Sequence, residues 1–151
     1  LKDSLKDKNK LIVDLRFFFD GDWKAAIELA SLFLSNQQIL IKTRNREFKR
    51  NIGSKFFAGK IVLITDVNCI GACAIFSGIL ASSGSEILGK DPKAGCGWLT
   101  VSLFENSFLI IPDSEIIING HKLCKEGVKA TNIKEKEILK EARKKLEEKR
   151  I

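Results

Sequence analysis

Short continuous apolar runs alternate along the chain with stretches of helical periodicity. Leu11 to Leu15 (LIVDL) and Lys60 to Asp66 (KIVLITD) are rich in β-branched residues, the pattern of parallel strands buried on both faces. Gln38 to Lys42 predicts another short strand, as do Glu86 to Gly89, Trp98 to Phe104, Phe108 to Pro112 and Glu115 to Ile118. Leu1 to Lys10 is charged and amphipathic and reads as the tail of a helix. Trp23, Ala26, Ile27, Ala30, Leu32 and Phe33 recur near helical spacing, predicting a helix over 23–34 with Asp22 as its N-cap. A second helix is predicted over Cys73 to Ser83, ended by Gly84 at C′. At the end of the chain, Asn132-Ile133-Lys134-Glu135 has the capping-box pattern, and Ile138, Leu139, Ala142 and Leu146 form one apolar stripe. Strands alternating with helices indicate an α/β architecture. No internal repeat or linker divides it, so residues 1–151 are expected to form one domain.

Composition agrees with a packed core. Hydrophobic residues make up 44% and charged residues 30% of 151 residues, and no apolar run approaches the roughly 18 residues that a membrane-spanning helix needs. The net charge is +7, and seven basic residues against one acid lie between Lys42 and Lys60. Without a nucleic-acid motif this stretch reads as a solvated loop and edge, and nucleic acid is not an expected partner. The chain lacks methionine and opens Leu1-Lys2-Asp3, so it is expected to be a piece of a longer product.

The segment richest in chemical meaning is Asp66 to Gly78 (DVNCIGACAIFSG). A strand runs into a tight turn of small residues and then into a helix. That arrangement presents a nucleophile, while amides at the helix start stabilise an oxyanion.

Five segments in order now carry a resemblance. They are Asp14-Leu15-Arg16; Phe57 to Ile64 (FAGKIVLI); Asn68 to Leu80 (NCIGACAIFSGIL); Gly95-Cys96-Gly97-Trp98-Leu99-Thr100; and Gly127 to Thr131 before the last helix. Together they resemble the tail-specific, or C-terminal processing, serine peptidases over nearly the whole chain. The resemblance implies a ClpP/crotonase-like core of stacked strand–strand–helix units with a C-terminal helix. It also implies protein or peptide C-terminal segments as partners, a serine nucleophile with a lysine base, no cofactor, and a PDZ domain outside these residues. An extracytoplasmic or periplasmic bacterial setting is suggested by the resemblance alone, and homo- or hetero-oligomers are compatible with it.

Laid over this chain, the family motifs place the nucleophilic serine at Gly71 and the lysine at Cys96. The two positions are 25 residues apart, the spacing the family keeps. The glutamine that supports the lysine falls at Thr100, and the glutamate after the nucleophile turn falls at Ala74. In the first motif the asparagine is Phe18, and Asp20 replaces the first glycine of its pair, leaving Gly21. Gly21 and Ala72 are the candidate oxyanion-hole positions. A glycine cannot attack a carbonyl, so the catalytic apparatus is expected to be degenerate.

The four cysteines leave alternatives open. Cys69, Cys73 and Cys96 are a candidate thiol site, and a thiolate there would need a base or a positive neighbour. The same three could supply ligands to zinc, and a disulfide from Cys96 to Cys69 or Cys73 is geometrically conceivable. The favoured reading is that small buried cysteines replaced small buried residues, with no metal. His121 reads as a turn residue. Phe17-Phe18-Phe19 is either a peptide-binding wall or a local core patch, and Trp23 and Trp98 are expected to pack. Lys90 and Lys93 lie near the base position but have no serine to serve.

Function follows in three versions. The leading one is a non-catalytic homologue acting as a binding or assembly module. The second is a peptidase that uses a cysteine or a partner subunit, and the third is a crotonase-like acyl-CoA enzyme.

Overall fold

A computed structural model describes residues 5–18, 21–34, 37–43, 45–53, 56–93, 95–104 and 107–148, with the backbone alone for 98–104, 108 and 110. Twelve elements appear among the described residues: β1 (Lys10–Asp14), α1 (Trp23–Ser31), β2 (Gln37–Thr43), β3 (Glu47–Ile52), β4 (Lys60–Thr65), α2 (Ala72–Ser82), β5 (Glu86–Gly89), β6 (Cys96–Phe104), β7 (Ser107–Ile118), β8 (His121–Lys122), α3 (Leu123–Glu126) and α4 (Glu135–Glu147). The α/β class expected from the sequence is observed.

Two sheets form. The first is parallel, in the order β1-β4-β5, and the second is antiparallel, in the order β3-β2-β7-β6 with β8 on β7. The central strand β4 explains its own sequence. Ile61 and Leu63 face a core shared with Ile27, Ile75, Ile79 and Ile116, while Val62 and Ile64 face a second core closed by Leu88, Ile138, Ala142 and Leu146. A strand covered on both faces has no polar side, hence the unbroken run KIVLIT.

Helix ends follow local chemistry. Asp22 caps α1, its Oδ1 accepting from the Lys24 amide at 2.8 Å. The α2 helix ends in a Schellman turn: the Gly84 amide donates to the Ala81 carbonyl and the Ser85 amide to the Leu80 carbonyl, with Gly84 at φ +90°.

Several expectations are corrected. Leu5 is helical and leads through a turn, closed by the Lys8 amide on the Leu5 carbonyl, into β1, in keeping with a helix tail whose earlier residues lie outside the described ones. The basic stretch, expected as a solvated loop and edge, does form an edge, but as the strand β3 paired along its length with β2; a charged edge strand has no alternating apolar signal. Phe108 to Pro112 and Glu115 to Ile118 belong to one strand, β7, because pairing with β6 continues across Pro112. The last helix starts at Glu135 with Lys134 as N-cap, since the Asn132 side chain accepts from Lys90 Nζ at 3.1 Å instead of capping. Leu139 is 47% exposed, outside the stripe of Ile138, Ala142 and Leu146. Among the described residues, no helix is long and apolar enough to cross a membrane.

Candidate functional site

Parallel pairing of β1 with β4 sends both strands out of the sheet on the same edge. The loop after β1 and the turn after β4 therefore lie side by side. Asp66 fastens them: its Oδ2 accepts from the Phe17 amide at 2.9 Å, and its Oδ1 accepts from the Asn68 amide at 2.9 Å. Arg16 donates from Nε and Nη2 to Asp14. These bonds hold the Asp14 carboxyl below the usual carboxylate range, against the opposing effect of partial burial.

The turn itself is sharp. Amides of Cys69, Ile70 and Cys73 donate to the carbonyls of Asp66, Asn68 and Ile70, and the chain enters α2 through Gly71 as N-cap. Gly71 has φ +55° and ψ −120° and makes no side-chain cap bond. Residues with a Cβ reach this region only at a cost of about 1–3 kcal/mol, and strained turns of this kind present nucleophiles on other folds. Here glycine relieves the strain and supplies no attacking group.

The positions singled out as oxyanion-hole candidates lie together. A Cβ built on Gly21 would sit 3.6 Å from the Cβ of Ala72. Beside them opens an apolar cavity of about 200 Å³, lined by Leu15, Phe18, Gly21, Leu29, Cys73 and Phe76 among others. Phe18 thus belongs to a pocket wall, whereas Phe17 is 77% exposed. Phe19 and Asp20 lie outside the described residues.

The base position is built differently. The turn before β6 abuts the elbow, since the Lys93 amide donates to the Cys69 carbonyl at 3.1 Å. Cys96 opens β6 and is bonded to Cys124 of α3. Its neighbours are packed shut: a Cβ on Gly97 would fall 2.8 Å from the Trp23 ring, and one on Gly95 would fall 2.9 Å from Leu123 Cβ. Thr100 stands opposite Ile110 in the β6–β7 ladder, and Ala74 is fully buried in α2.

The cysteine alternatives are corrected by these pairings. Cys69 is bonded to Cys73, and no cysteine is free. Cys96 therefore pairs with neither of the two partners considered for it. A sulfur held in a disulfide is neither a thiolate nucleophile nor a zinc ligand. His121, expected in a turn, instead opens strand β8 opposite Ile118, with Nε2 2.6 Å from the Gly127 carbonyl and Nδ1 2.7 Å from Glu126. Lys90 donates to Asn132.

Two residues of this region were not legible as site residues. Cys124 carried no local signal beyond completing an even number of cysteines. Asp66 stood in the quoted turn motif, but its bridge to Phe17 depends on the β1–β4 pairing.

Comparison with known proteins supplies the wider frame. The family model described as Peptidase family S41 matches residues 1–131. No curated protein matches the chain. Among solved structures, the photosystem II D1 C-terminal processing protease is similar with a TM-score of 0.69 at 19% identity, over 86% of this chain and 36% of that one. A lipoprotein from Streptococcus agalactiae is similar with a TM-score of 0.70 at 16% identity, over 96% of this chain and 57% of that one. The chain spans less than two thirds of either structure, and likeness at these identities concerns the fold.

Proposed function

The chain belongs to peptidase family S41, and from that premise we propose that it is a peptidase-fold domain without hydrolytic activity that holds C-terminal segments of proteins or peptides. The observation that carries this reading is Gly71 at the elbow: the turn that would present a nucleophile presents none. Cys96, at the lysine position, cannot accept a proton while bonded to Cys124. What persists is a surface for a peptide segment. The elbow, the Gly21 loop and the apolar cavity beside them form a preformed pocket of the kind that receives one apolar side chain.

Mass spectrometry of unstructured peptides incubated with the protein is the direct test. No cleavage is expected from the wild type or from Gly71→Ser. Cleavage by the wild type that a serine-reactive reagent abolishes would overturn the reading. Binding is followed by fluorescence anisotropy of a labelled peptide with an apolar C-terminal residue. Leu29→Asp, at the pocket rim, should weaken it roughly tenfold, on the scale of one apolar side-chain contact of about 1.5 kcal/mol.

A further inference from the structure

The Cys69–Cys73 bond closes a ring of only five residues around the N-cap of α2. A ring that short removes little freedom from an unfolded chain, and the turn already has three backbone hydrogen bonds of its own. Its place is more telling than its contribution to folding. The bond joins the residue two before Gly71 to the residue two after it. Gly71 is the most permissive residue type, sits at positive φ and lacks a side-chain cap. A covalent bridge across it fixes the entry angle of α2, and with it the placement of Ala72 and Cys73 in the pocket wall.

We infer that the Cys69–Cys73 disulfide is a redox clasp on the apolar pocket: oxidised, it holds the pocket in its binding shape, and reduced, it releases the turn and weakens binding. This rests on the peptide-binding reading above. The two sulfurs are not equivalent. Cys73 lines the cavity, whereas Cys69 Sγ lies back against Ser77 Oγ at 3.7 Å. The reductant is a dithiol. One of its thiolates enters from the pocket side and attacks Cys73 Sγ, forming a mixed disulfide and displacing Cys69 as a thiolate, which takes up a proton. The second thiolate of the reductant then attacks its own sulfur in the mixed disulfide, and Cys73 leaves and is protonated. The protein gains two electrons and two protons, and the reductant becomes a disulfide. Both cysteines are 1% exposed, so the exchange is slow and shows itself at equilibrium. A pocket shaped before the ligand arrives binds more tightly than one that must be ordered, which sets the sign.

The test compares oxidised wild type with Cys69→Ala/Cys73→Ala, in which Cys96–Cys124 stays intact, by anisotropy with the same labelled peptide. The variant should bind about tenfold more weakly, and its amides at 70–74 should exchange hydrogen faster while β4 and β7 are unchanged. Graded dithiol treatment of the wild type, read by alkylation and peptide mapping, gives the same comparison without substitution. Equal affinity, or equal exchange at 70–74, would overturn the clasp. If oxidised wild type binds no peptide, the peptide-binding reading fails, and exchange at 70–74 alone decides: faster in the reduced protein supports the clasp, unchanged removes it.

Discussion

The two halves of the site have fared differently. On the elbow side, the turn with its positive-φ N-cap and the Gly21 loop border an open apolar cavity. On the β6 side, the position read from the family motifs as that of the base is filled in. Cys96 is tied to Cys124, and Gly97 lies under Trp23. Geometry that binds is set by backbone and survives a change of side chain. Geometry that moves a proton hangs on one side chain and its desolvated surroundings, and tight packing closes such a place readily.

The disulfides sharpen this contrast. In the chain-entropy account, a cross-link spanning 28 residues stabilises by about 3.5 kcal/mol, against about 2 kcal/mol for one spanning four residues. The largest expected effect is therefore on the filled side. Cys96→Ala/Cys124→Ala should lower unfolding stability by about 3–4 kcal/mol in urea titration. A loss no larger than that of Cys69→Ala/Cys73→Ala would break the distinction between a staple and a clasp. Gly71→Ser comes next, with a loss of about 1–3 kcal/mol from the strained φ and no hydrolysis. An unchanged melting curve would mean that the elbow has relaxed. Acid has the smallest effect. Asp14 is held below its ordinary range by Arg16, and Asp91 by the Ala130 amide and Lys129. A carboxylate depressed in the folded state contributes stability above its unfolded pKa of about 3.9 and loses it as pH falls through the lower folded value. Unfolding should therefore become easier below about pH 4, and Arg16→Gln should flatten that slope.

Much of the fold was legible because its signals are local. Asp22, Gly84 and the run from Lys60 to Thr65 act through neighbours in sequence, and each formed the element it predicted. The order of motifs located the elbow and placed Gly21 and Ala72 as a pair. What escaped depends on partners far along the chain. Asn132 looks like a cap until Lys90 arrives from the bend after β5, and Cys96 found its partner in a helix of four residues that gave no sign of itself. Glu47 to Ile52 looked like loop because an edge strand with solvent on its outer side tolerates charge.

The Asp66 carboxylate has a mechanical consequence. With β1 paired along β4, the Leu15 amide bonded to the Ile64 carbonyl at 2.8 Å and the Phe17 amide bonded to Asp66, the Gly21 loop is joined to the elbow near its root. No hinge can operate between those roots without breaking the ladder. α1 brings Leu29 and Ala26 to the opposite wall. The cavity therefore has one wall tied to the parallel sheet and the other carried by a single helix, so the two walls belong to different elements of the fold.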